Sequence, residues 1–139
     1  MRIELITTGS ELLLGRVLNT HQQWLGRELD AHGWTVERQV TVSDTGPAIE
    51  AAVREGLNRA DLIITTGGLG PTADDITRDR IAALLNRTLK EDSGTRDHIA
   101  AFFRRIQRPM PESVLVQAQI PEGAVILHNR HGTAPGLFL

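Results

Sequence analysis

Asp74 and Asp75 follow Gly67, Gly68 and Gly70 within a span of nine residues, in the run Leu62-Ile63-Ile64-Thr65-Thr66-Gly67-Gly68-Leu69-Gly70-Pro71-Thr72-Ala73-Asp74-Asp75-Ile76-Thr77-Arg78. Glycine leaves backbone amides unshielded, so such a turn favours a bound anion. The two aspartates would repel a polyphosphate unless a divalent cation such as Mg²⁺ stood between them. Glycines, carboxylates and a cation together point to the chemistry of nucleotide phosphates. The segment is not a Walker loop, because no Gly-Lys-Ser/Thr follows, and it lacks the Gly-x-Gly-x-x-Gly of a dinucleotide fold.

The apolar, β-branched residues 62–66 read as a buried strand that delivers this turn. Upstream, Arg2 to Thr8 reads as a first strand and Gly9-Ser10-Glu11 as a turn. Thr20 to Ala31 reads as a helix, with Leu18, Leu25 and Leu29 at helical spacing beside Trp24 and closure at Gly33. Val36, Val40 and Val42 alternate with polar residues as a second strand ending at Ser43-Asp44. Thr45 is expected to cap a helix with Pro47 in its first turn and Ile49, Ala52, Val53 and Leu57 on one face.

Beyond the glycine turn, Ile81, Leu84 and Leu85 mark one helix, and Ile99, Phe102, Phe103 and Ile106 another. Residues 112–119 suit a short helix, 125–127 a strand, and Gly132-Thr133-Ala134-Pro135-Gly136 a rigid turn before Leu137-Phe138-Leu139. Trp24, Trp34 and the paired phenylalanines read as packing residues, and the five histidines as surface residues without metal-ligand spacing.

Strands alternating with helices imply an α/β fold, a mostly parallel sheet covered on both faces, with order 2-1-3 a common beginning. In such a sheet the carboxyl ends of neighbouring strands form a ligand crevice. Glu11, Asp44 and the glycine turn through Asp75 are expected to face it. Read alone, each carboxylate has a plainer explanation. Thr72-x-x-Asp75 fits a capping box, Asp44 an Asx turn, and Glu11 a solvated turn.

The 139 residues suit one domain, 1–139, and the 15 basic against 17 acidic side chains form no basic block for nucleic acid. No apolar run reaches the roughly 18 residues a membrane span needs, and the absence of cysteine and of a signal-peptide core suits the cytoplasm.

Taken in order, Thr8-Gly9-Ser10-Glu11-Leu12-Leu13-Leu14-Gly15 with Asn19-Thr20, then Asp44, then Thr66 to Arg78, then Gly132 to Gly136, resemble the N-terminal domain of the competence/damage-inducible protein A family. That domain is part of the molybdopterin-binding superfamily. The resemblance implies a three-layer α/β/α sandwich that takes a phosphorylated pterin, molybdopterin, or an adenine dinucleotide. It also implies metal-dependent cleavage of ADP-ribose-like pyrophosphates, with Mg²⁺ or another divalent cation and K⁺. The alternatives are molybdopterin binding or adenylylation, and nucleotide binding without turnover.

By motif position, Glu11, Asp44 and Asp75 are the catalytic carboxylates, with Asp44 and Asp75 on the metal. Thr8, Gly9, Ser10, Gly67, Gly68, Leu69, Gly70, Thr72, Asp74 and Thr77 are the binding residues of the first turns, and Gly132, Thr133, Ala134, Pro135 and Gly136 those of the last. The partners implied are a small-molecule nucleotide or pterin phosphate and a second or third copy of the chain, a dimer or trimer. Relatives continue past the last turn into a further strand, and the larger ones into an amidase domain, so the sequence is expected to be a shortened piece.

Overall fold

The computed structural model describes every residue from Met1 to Leu139, and the backbone divides into two compact units, Met1–Gly68 and Leu69–Leu139.

The first unit is built on a three-stranded parallel sheet. Strand β1 (Ile3–Thr8) lies between β2 (Val36–Val42) and β3 (Leu62–Thr66), giving the order β2-β1-β3. Every residue of β1 is buried, because a central parallel strand is covered on both faces and its sequence need not alternate. Edge strand β2 keeps Glu37, Arg38 and Gln39 in water.

Helix α2 (Thr20–Ala31) covers one face, with Leu25 and Leu29 packed on Ile3, Leu5, Val36, Leu62 and Ile64. The Asn19 side chain accepts from the Gln22 amide at its start. At its end Gly33 adopts φ 77° and Trp34 N–H returns to Leu29 O, a left-handed closure that only glycine makes without strain. Helix α3 (Gly46–Leu57) covers the other face with Ile49, Ala52, Val53 and Gly56. The unit is therefore three-layered, α/β/α, as the alternation of elements predicts.

Three sequence expectations shift here. Trp24 and Trp34 are 60% and 49% exposed, since Leu25 and Leu29 already fill the sheet-facing stripe of α2. Leu18, at 84% exposure, precedes the helix rather than joining that stripe. On α3 it is Gly56, not Leu57, that meets the sheet, where a side chain would press on Ile63.

The second unit opens on a turn and helix α4 (Thr77–Leu84). Helix α5 (Ser93–Arg105) begins at Asp92, whose carboxylate accepts from the Thr95 amide at 2.6 Å. Its Ile99 packs with Val114 and Ala118 of a 3₁₀ segment (Glu112–Ala118), flanked by Phe103 and Met110. Two antiparallel ribbons complete the unit, β4 (Leu89–Glu91) with β5 (Gln119–Pro121) and β6 (Val125–Leu127) with β7 (Gly136–Phe138). No helix of the chain is long and apolar enough to cross a membrane.

Candidate functional site

Within the first unit the parallel register sets Thr7 beside both Thr41 and Thr66, so all three strands finish at one edge. Gly9 leaves β1 there, Ser43-Asp44 leaves β2, and Gly67 leaves β3. The predicted Gly9-Ser10-Glu11 turn is the start of a one-turn helix, α1 (Ser10–Leu13), with Leu12 N–H bonded to Gly9 O. Gly9 N–H in turn donates to Val42 O at 3.0 Å, which ties the ends of β1 and β2 together.

Ser10 Oγ donates to Asp44 Oδ1 at 2.5 Å. The two residues lie 34 apart in the chain, so strand pairing alone brings the first and second predicted motifs together. Glu11 folds over Gly9, where a Cβ would meet its Oε1 at 2.5 Å. Gly67 has φ 97°, and a Cβ there would fall on the carbonyl and hydroxyl oxygens of Thr8. Any other residue would be strained and would also push β1 and β3 apart. Thr8 Oγ1 bonds Thr66 O at 3.3 Å.

In the second unit Asp75 Oδ2 accepts from the Thr72 amide at 3.0 Å and from Thr72 Oγ1 at 2.5 Å. The expected capping box is thus only half formed. The carboxylate reaches back as predicted, but α4 starts at Thr77 with Ile76 at its N-cap, and the Thr72 hydroxyl donates to Asp75 instead of accepting from a helix amide. The result is a closed turn ahead of the helix. Gly70 lies against the Asp75 carboxylate with no room for a side chain. Burial by itself would raise the Asp75 carboxyl, but bonds from the Thr72 hydroxyl, the Thr72 and Gly70 amides and the charge of Arg78 outweigh it and hold the group below its usual value.

Asp74 is exposed and Thr77 fully buried, so the aspartate faces water while the threonine anchors the helix. Two residues without a role in the sequence reading support this turn. Buried Gln117 donates Nε2 to Leu69 O at 3.3 Å, and Arg78 donates Nη1 to Val116 O at 2.6 Å. Neither carried a local signal, because their partners lie 48 and 38 residues away.

The last turn is organised by Asn129. Its Oδ1 accepts from the His131 and Gly132 amides at 2.9 and 3.1 Å, and its Nδ2 donates to Ala134 O at 2.9 Å. Thr133, Ala134 and Pro135 are half-buried, and Gly136 enters β7. His98 is not a surface residue as expected, since its Nε2 contacts Gly132 O at 3.2 Å.

The first unit therefore gathers Thr8, Gly9, Ser10, Glu11, Asp44 and Gly67. The second knits Leu69, Gly70, Thr72, Asp75 and Thr77 into one turn and residues 132–136 into another.

Comparison with known proteins gives these turns a family. Residues 4–139 match the model of the probable molybdopterin binding domain. A Moorella thermoacetica protein named as competence-damage inducible is 47% identical over 139 residues, all of this chain and 34% of that protein. The chain thus spans about a third of the length of the curated relatives it matches. The crystal structure of the CinA protein of Thermoplasma acidophilum, described as of unknown function, superposes with a TM-score of 0.85 at 34% identity, over 98% of this chain and 79% of that one. The molybdopterin biosynthesis enzyme MoaB of Thermus thermophilus shares the fold, with a TM-score of 0.56 at 22% identity over 86% of this chain and 78% of that one. The chain belongs to the probable molybdopterin-binding domain family, and its likeness there runs to the CinA-like, competence-damage inducible proteins.

Proposed function

We propose that the domain binds a phosphorylated nucleotide or pterin at its glycine turns and hydrolyses ADP-ribose-like pyrophosphates with the help of a divalent cation. The observation that carries this reading is the Asp75 carboxylate. It is half-buried, held by donors from Thr72 and Gly70, and kept ionised where an ordinary surface aspartate would need no such support.

The donor set fits a hard cation. Asp44 spends Oδ1 on Ser10 and leaves Oδ2 outside that bond. Within neither unit do three His, Asp or Glu side chains gather into a cage. Mg²⁺ needs none, since it is commonly held by one or two carboxylates, water and substrate phosphates. When bound, such an ion offsets the diphosphate charge and acidifies water. In the first unit Asp44 would offer a carboxylate oxygen to such an ion, Gly67 and Gly68 would present amides to phosphate oxygens, and Glu11 would serve as the base toward water; in the second unit Asp75 would offer a carboxylate oxygen of its own.

A second reading, pterin binding or adenylylation, is favoured by the family match itself. One experiment separates them. ADP-ribose is incubated with the protein and Mg²⁺, with and without chelator, and AMP and ribose 5-phosphate are followed by chromatography. Release that is abolished by chelator and by Asp75→Asn carries the hydrolytic reading. Calorimetric binding of ADP-ribose or a pterin phosphate without product carries the binding one.

A further inference from the structure

Gln117 is 3% exposed, and its side-chain carbonyl Oε1 has no hydrogen-bond partner within the protein. The residue shares one face of the 3₁₀ segment Glu112–Ala118 with Val114, three positions earlier, which is buried against Ile99. An apolar side chain would fill that face without penalty. A glutamine there leaves a buried acceptor unpaired, which is unfavourable, so the reason for it lies in the bond that its amide does make.

That bond runs from Nε2 to Leu69 O at 3.3 Å. A trans peptide points its carbonyl and its amide hydrogen in opposite directions, so a donor that fixes Leu69 O also fixes the Gly70 N–H on the far side of the same plane. That N–H bonds the Asp75 carboxylate, against which Gly70 is pressed with no room for a Cβ. Gln117 thereby reaches Asp75 through one rigid peptide. The residue before it holds the other end of the turn, because Val116 O accepts from Arg78 Nη1 at 2.6 Å, and the buried Arg78 is itself paired with Asp79. Leu69 and Arg78 bracket the turn, and two consecutive residues of the 3₁₀ segment grip both.

We propose that Gln117 is a positioning residue, which aims the Gly70 amide at the Asp75 carboxylate through the Leu69–Gly70 peptide and is placed there for that orientation rather than for stability. The inference deepens the reading above and rests on it only for what Asp75 does in the reaction. It accounts for a polar side chain at a position that packing alone would give to an apolar one.

Gln117→Met, close in length and volume but without the amide, separates positioning from packing. The full chain is ¹⁵N-labelled, and hydrogen exchange of the Gly70 and Thr72 amides is followed by NMR alongside urea unfolding. The Gly70 amide is expected to exchange about fivefold to tenfold faster in the variant, the effect of loosening one hydrogen bond. The Thr72 amide, which reaches Asp75 without passing through the Leu69–Gly70 peptide, is expected to keep its rate. The urea midpoint is expected to be no lower than that of the unaltered protein, because the unpaired carbonyl is gone. Unchanged exchange at Gly70 overturns the proposal, as does acceleration shared equally by Thr72. A lower urea midpoint overturns it too, by making Gln117 a packing residue. Gln117→Leu repeats the measurement with a second apolar side chain, and failure of both variants to fold counts against the proposal in the same way. Cleavage of ADP-ribose with Mg²⁺ is followed in parallel, and Gln117→Met is expected to lower kcat about tenfold with KM within about twofold, since the carboxylate is misaimed and not removed. No cleavage by the unaltered protein sinks the hydrolytic reading and leaves the exchange result to decide on Gln117, whereas cleavage with unchanged Gly70 exchange in the variant does the reverse.

Discussion

Ser10 Oγ and Asp44 Oδ1 are joined by a 2.5 Å hydrogen bond that crosses from the end of β1 to the end of β2. The bond does two things at once. It fixes the helical start that carries Glu11, and it orients the Asp44 carboxylate with Oδ2 turned to other use. A half-buried hydrogen bond to a charged oxygen contributes about 1–2 kcal/mol, so Ser10→Ala is expected to lower stability by that amount in urea unfolding. It is also expected to weaken Mg²⁺ dependence of any hydrolysis, while Ser10→Thr, which keeps the donor, restores both. Unchanged stability in Ser10→Ala would remove the bond from the account of the site.

Asp75 makes a prediction about acid. Its folded carboxyl titrates below the usual value, because donors from Thr72 and Gly70 and the charge of Arg78 prevail over burial. A carboxyl lowered on folding contributes stability above its unfolded value, near pH 4, and loses it as the pH falls through the lower folded value. The stability gap between wild type and Asp75→Asn is therefore expected to be full at pH 6 and to close below about pH 4. Urea midpoints from pH 6 to pH 2.5 measure it, and a gap independent of pH would show that Asp75 is not ionised in the native turn.

Two glycines with the same sign of φ should respond differently to alanine. Gly15 (φ 68°) faces open space, whereas Gly67 (φ 97°) has Thr8 where a Cβ would go. Gly15→Ala is expected to cost about 1 kcal/mol, from the backbone alone. Gly67→Ala adds a clash with β1 and is expected to cost on the order of 2–3 kcal/mol. Parallel thermal unfolding of the two variants checks the order, and equal losses would mean that Gly67 is chosen for its amide rather than its space.

The layered sheet was legible in the sequence because strand order and helix position follow from local signals: β-branched runs, Pro47 in the first turn of α3 and Gly33, although the Thr45 side chain, expected to cap α3, makes no capping bond there. Glu11, Asp44 and the glycine turn were legible as polar residues at strand ends, which a parallel sheet gathers at one edge. What the sequence hid were side chains whose partners are distant. Asn129 shapes the last turn through three bonds, yet it sits in a run that reads as loop. Gln117 lies in a 3₁₀ segment on the buried face of Val114, three residues earlier, but as a polar residue it does not mark that face in the sequence. Trp24 misled because size alone suggests packing, while helical phase put it on the far side of α2 from the sheet.

Glu4 shows the same limit most sharply, and it closes on a test. Only 2% exposed as the second residue of β1, it receives Arg59 Nε and Nη2 at 2.8 Å each, with Arg38 at 3.6 Å. The pair ties the turn that follows α3 to the central strand, beneath Gly56. A buried charge is tolerated only with its partner, so removing one member costs more than removing both. Arg59→Met, which strands the carboxylate, is expected to give a lower urea midpoint than the double variant Glu4→Met with Arg59→Met, despite carrying fewer changes. Chemical denaturation of wild type, single and double variants decides it. If the double variant instead loses the sum of Arg59→Met and Glu4→Met, the coupling energy is zero and the Glu4 carboxylate does not depend on the Arg59 guanidinium for its place in β1.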